Sequence, residues 1–136
     1  MDAGLLSVPR VNLAFAWGWI LCGFVSGALL GMRFKDPQWM GGYSSFPRRL
    51  YRLAHISFFG LGLMNLLFAV TAVALGLGST TLAVAAWAFI AGGILMPICC
   101  LAMAHWGKAK PALVFALPVS SLLVGGSLTF YLILKS

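Results

Sequence analysis

The chain has 136 residues, of which 62% are hydrophobic and only 8% charged, with a mean hydropathy of +1.02. No water-soluble fold of this size can hide so much apolar surface, so a soluble catalytic domain is excluded and a membrane-embedded chain is expected. The formal net charge of +7 does not point to nucleic acid, because the cations flank apolar runs instead of forming a soluble basic face; anionic lipid headgroups are the expected partner.

A span of the hydrocarbon core takes about 20 apolar residues. Four runs free of Asp, Glu, Lys and Arg meet that length, at 11–32, 53–77, 81–104 and 113–134. They predict an all-α chain with a single domain, 1–136: an integral membrane four-helix bundle of up-down topology. Arg33, Lys35, Arg48, Arg49, Arg52, Lys108 and Lys110 then fall on one side, against Arg10 and Lys135 on the other. The positive-inside rule makes the first side cytoplasmic, puts both termini outside, and fits a bacterial cytoplasmic (inner) membrane.

The first run is too long, and too poor in preceding cations, for a cleaved signal peptide, so it is expected to remain as a helix. It carries Gly23, Gly27 and Gly31, a small-xxx-small ladder that lets another helix backbone come close. The partner is either a helix of this chain or another membrane subunit. The connection 33–52, which opens RFKDPQWMGGYSSFPRR, is long enough to build structure of its own. Asp36-Pro37 and Gly41-Gly42 are turn signals, and Trp39, Tyr43 and Phe46 are interfacial aromatics, so this loop is a candidate partner-facing element.

The second run opens with His55 and carries Asn65 deep inside. Such an amide usually bonds to another helix, and Ser or Thr residues of the first and fourth runs are the expected partners in a structural clasp. A short Gly-Ser connection ending in Gly78-Ser79 makes the second and third runs a tight antiparallel hairpin. His105 closes the third run, so both histidines lie at one depth near the cationic face. Two imidazoles at one level on adjacent helices suit the axial positions of haem b. Helical phase places Phe58, Phe59 and Gly62 on the His55 face, with Gly62 offering a flat surface for a macrocycle and Arg52 a cation for its propionates. The haem is thus expected between the second and third helices. The competing reading is that both histidines merely bond water or headgroups.

Met96, Cys99, Cys100 and Met103 follow an i, i+3, i+4, i+7 spacing and form one stripe of sulfur along the third run. Soft ligands of this kind favour Cu(I), although the same residues are ordinary fillers of buried helix faces. Pro97 removes a backbone hydrogen bond from this helix and should kink it. Pro111 suits the first turn of the fourth helix, which also carries Pro118 and a small-residue face at Gly125 and Gly126. Cys22, Cys99 and Cys100 all fall inside spans, so no disulfide framework is expected.

With no acid or base inside any run, an ion-coupled transporter is disfavoured, and no hydrolase motif is present. The functional expectation is a small, non-catalytic membrane subunit of a redox or respiratory electron-transfer complex, holding haem b through His55 and His105. A scaffold or assembly subunit is the alternative, and Cu(I) handling comes third.

Overall fold

The computed structural model describes residues 7–106 and 111–136. Four long helices make up nearly all of it: α1 (Ser7–Arg33), α2 (Phe46–Ala74), α3 (Thr80–Trp106) and α4 (Pro111–Lys135), with one 3₁₀ turn at Trp39–Gly41 in the first connection. Each helix is long and apolar enough to cross a membrane, as expected of an integral membrane protein. The third connection, with Lys108 and Lys110, lies outside the described residues.

Two helix starts differ from the hydropathy boundaries. α1 begins at Ser7, taking Arg10 into its first turns. α2 begins at Phe46, so Arg48, Arg49 and Arg52 sit on a helix instead of in a loop. The cause is local: Ser45 caps the helix, its Oγ accepting the Arg48 N–H at 3.3 Å, and Pro47 pre-sets the first turn. A polar first turn is invisible to a hydropathy window but costs a capped helix nothing.

α2 stops in a Schellman turn. Gly76 has φ of +60°, the Leu77 N–H reaches back to the Ala72 carbonyl, and the Gly76 N–H reaches the Val73 carbonyl. Ser79 then caps α3 by accepting the Leu82 N–H at 3.1 Å. This tight junction packs α2 and α3 side by side and antiparallel, with Phe68 against Phe89 and Tyr51 against His105.

α2 and α3 form the centre of the molecule. α1 packs mainly along α2 and α4 along α3, while α1 meets α3 only lightly. The bundle is therefore open, with α1 and α4 as outer helices. Its tightest apolar cluster is Phe68, Ala72, Leu82, Ala85, Ala86 and Phe89, covered by Leu122 and Leu128 from α4. Small residues on α2 and α3 let these helices approach closely, which is how membrane helices gain contact where lipid offers no hydrophobic drive.

The deepest polar contact joins three helices. Asn12 and Asn65 are both 0% exposed. Asn12 Nδ2 donates to Asn65 Oδ1 at 2.7 Å and to the Ala86 carbonyl at 3.1 Å, while Asn65 Nδ2 donates to the Leu61 and Phe89 carbonyls. Asn65 is thus a clasp, but its partner is Asn12 and not a hydroxyl. Asn12 lies one residue inside the first apolar run, where a polar residue reads as the edge of a span.

Both internal prolines have a counterpart on a neighbouring helix. Pro97 cannot donate to the carbonyl four residues before it, Gly93, and the indole Nε1–H of Trp19 donates there instead, at 3.0 Å. Pro118 likewise frees the Val114 carbonyl, which accepts the Cys99 thiol at 3.3 Å. In lipid a bare carbonyl is costly, so these side chains replace the missing backbone bonds.

Candidate functional site

The cationic end of the bundle collects the C-terminal end of α1, the N-terminal end of α2 and the last turn of α3. Arg33, Lys35, Arg48, Arg49 and Arg52 all lie there. The connecting segment is folded down by Arg48, which is only 4% exposed. Its guanidinium lies 4.9 Å from the Phe34 ring centre, 5.7 Å from Trp39 and 5.6 Å from Tyr43, and donates to the Pro37 carbonyl at 3.2 Å. Delocalised charge on a planar group suits such a cage, where a compact ammonium would not spread over three rings. Arg52 adds a second clamp, 4.1 Å over the Tyr43 ring and bonded to the Tyr43 carbonyl.

So held, the segment walls off a cleft of about 930 Å³ between α1 and α2. Ser26, Leu30, Met32 and Arg33 of α1, Trp39 and Met40 of the 3₁₀ turn, Tyr51, His55 and Phe58 of α2, and Leu101 of α3 line it. The lining is apolar and aromatic with a few polar groups, the usual make-up of a small-molecule or cofactor site.

His55 is the best-defined polar group of this cleft. Its Nδ1 lies 2.9 Å from Ser26 Oγ, and Ser26 Oγ itself lies 2.9 Å from the Gly23 carbonyl. The hydroxyl has one proton: given to the carbonyl, it leaves Ser26 to accept from a His55 protonated on Nδ1, and given to the ring, it meets a His55 protonated on Nε2. Among the described residues no hydrogen bond reaches Nε2. With the proton on Nδ1, the ring has the arrangement metal-ligating histidines use.

Glycine makes room for this ring. A Cβ on Gly27 would stand 2.8 Å from His55 Cε1, and one on Gly23 would stand 2.8 Å from the Phe59 ring. The first two rungs of the Gly23, Gly27, Gly31 ladder are thus used within the chain, by side chains of α2. Gly31 has nothing within 4 Å of its Cβ position.

The residues singled out from the sequence separate into groups. His55, Phe58, Phe59 and Gly62 do share a face of α2, but α1 covers it. Gly62 is packed against the Ala16 carbonyl, at 3.1 Å from its Cβ position, and against Ile20 and Trp19, so the flat surface it offers is already taken. His105 is exposed at the end of α3, its Nε2 2.7 Å from the Tyr51 hydroxyl, and does not line the cleft. Arg52 serves Tyr43, and the cation in the cleft wall is Arg33. Cys99, Cys100 and Met103 of the sulfur stripe are buried, Met96 is half-buried, and the Cys99 thiol is directed at α4.

Ser26, Arg33 and Met40 were not among the sequence candidates. For Ser26 a signal existed: in an antiparallel α1–α2 pair it falls level with His55. The cleft combines an apolar and aromatic lining, a cation at Arg33 and an imidazole anchored through Nδ1. Comparison of the chain with known family models, curated proteins and solved structures finds no match.

Proposed function

We propose that the chain is a small, non-catalytic membrane subunit of an electron-transfer complex, and that its α1–α2 cleft takes up haem b with His55 as an axial ligand. The observation that carries this reading is His55 in the wall of a cleft of about 930 Å³, held at Nδ1 by Ser26 and with no hydrogen bond to Nε2 among the described residues. Arg33 would meet a propionate, and Phe58, Leu30 and Leu101 would keep water from the macrocycle. Bound there, the haem would supply one-electron transfer. His105 reaches an axial position only by leaving Tyr51.

In this reading the chain crosses a bacterial cytoplasmic membrane up and down, with both termini outside. Arg33, Lys35, Arg49 and Arg52 face the cytoplasm and its anionic lipids, with Arg48 buried at the same end, as the positive-inside rule requires. Other membrane subunits dock on the outer helices.

The test is a reduced-minus-oxidised absorbance spectrum of the full chain purified in mild detergent, together with haemin titration of any cofactor-free fraction. Saturable binding with a shifted Soret band, lost in His55→Ala, is expected. Absence of a Soret band in both preparations, or its survival in His55→Ala, overturns the reading.

A scaffold function is the second reading, favoured by Gly18 and Gly31 on α1, both of which have open space at their Cβ positions on a helix that α4 does not cover. Isolation in a stoichiometric complex without any chromophore would select it. The third reading, Cu(I) held by Met96, Cys99, Cys100 and Met103, predicts copper in purified protein that Cys100→Ser removes.

A further inference from the structure

The geometry points to Met40 as the second axial ligand of the iron held by His55, an inference that rests on the haem reading above. Met40 and His55 line the same cleft, whereas His105 does not and has its Nε2 engaged by Tyr51 at 2.7 Å. Among the described residues, Met40 is also the one non-glycine residue with positive φ, at φ 56° and ψ 30°. A side chain normally avoids this left-handed region, and a residue kept there is held by its surroundings.

The surroundings are specific. Gly41 and Gly42 follow with φ of +86° and +92°, conformations that only glycine adopts freely. The Gly41 N–H closes on the Gln38 carbonyl at 3.0 Å and the Gly42 N–H on the Trp39 carbonyl at 3.3 Å. Arg48 then fixes both flanks, bonding the Pro37 carbonyl and lying against the Trp39 and Tyr43 rings. Two glycines and a buried arginine thus define one backbone course, and along that course Met40 becomes part of the cleft wall.

The chemistry agrees with the position. A thioether is neutral and soft, needs no deprotonation and ligates haem iron opposite histidine, raising the reduction potential relative to a pair of imidazoles. Met32, the other thioether of the cleft, is 61% exposed, whereas Met40 is half-buried.

The test uses the full chain loaded with haemin and read by absorbance, electron paramagnetic resonance and redox titration. Ferric protein should be low-spin with the sulfur-to-iron charge-transfer band in the red. Met40→Leu, which keeps shape and removes sulfur, should retain haem but turn high-spin and lose that band. Met40→His should restore a low-spin spectrum at a lower potential, which also checks that variants of this loop still fold. His105→Ala should leave the low-spin spectrum unchanged. A low-spin spectrum that survives Met40→Leu overturns the assignment, as does a high-spin shift in His105→Ala or Met32→Leu. Failure of the unmodified chain to bind haemin overturns the haem reading itself and this assignment with it.

Discussion

Replacing Asn12 by alanine removes the amide that ties α1 to both central helices. Two interhelical hydrogen bonds disappear, to Asn65 Oδ1 and to the Ala86 carbonyl. In membrane bundles such bonds average about 0.6 kcal/mol and reach about 1.7 kcal/mol, so the pair is worth roughly 1–3 kcal/mol. Asn65 Oδ1 is left buried without its donor, at a further cost of about 1 kcal/mol or more. One feature offsets this: Asn12 Oδ1 is itself buried with no donor among the described residues, and alanine removes that burden. The net expectation is a loss of about 2 kcal/mol. The measurement is reversible unfolding in mixed micelles with a denaturing detergent, on the unmodified chain, Asn12→Ala, Asn65→Ala and the double variant. The coupling energy of the cycle should be about 0.6–1.7 kcal/mol, above the scatter of roughly 0.3–0.5 kcal/mol seen for independent sites. Additive single effects would refute the clasp and reduce both amides to isolated polar residues.

Three further outcomes follow from particular contacts. Gly27→Ala should weaken haem uptake and destabilise the α1–α2 pair, because its Cβ meets His55 Cε1 at 2.8 Å, whereas Gly31→Ala should be neutral within about 0.5 kcal/mol in unfolding titrations; equal effects would contradict the geometry. Arg48→Lys should open segment 34–45 to limited proteolysis nearly as much as Arg48→Ala, since an ammonium cannot reproduce the three-ring cage; full protection by lysine would show that charge alone suffices. Trp19→Phe should cost about 1–2 kcal/mol by stranding the Gly93 carbonyl, and much less in a Pro97→Ala background, where a backbone N–H becomes available again; the same cost in both backgrounds would assign the loss to packing.

Hydropathy alone was enough to find four helices, because nothing but a helix satisfies its own backbone across about 20 apolar residues. Their ends were less legible: Ser45 and Pro47 start α2 inside a polar stretch that hydropathy assigns to a loop. Helical phase correctly grouped His55, Phe58, Phe59 and Gly62 on one face, but periodicity says only what shares a face, not which neighbour covers it. The short connection after α2 suggested α3; in the structure α1 lies there, admitted by Gly23, Gly27 and the backbone approach at Gly62. On that face His55 pairs with Ser26 of α1, while His105 pairs with Tyr51. Asn12 was missed for a different reason, since one amide at the edge of an apolar run has no meaning until its level is compared with Asn65 on the antiparallel helix. Met40 in the cleft wall was beyond reach, because its place there depends on a backbone conformation set by Gly41, Gly42 and an arginine eight residues later.

The carbonyls freed by Pro97 and Pro118 bear on how the molecule is assembled. A transmembrane helix normally enters lipid self-sufficient, with every backbone group paired before it meets another helix. α3 and α4 do not have that independence: α3 completes its hydrogen bonding only when Trp19 of α1 arrives, and α4 only when Cys99 of α3 arrives. Each proline therefore creates a debt to an earlier helix, of α4 to α3 and of α3 to α1. Insertion intermediates that lack a partner would be recognisable as incomplete by exposed polar backbone alone, and the finished bundle is the first state in which both carbonyls are at rest.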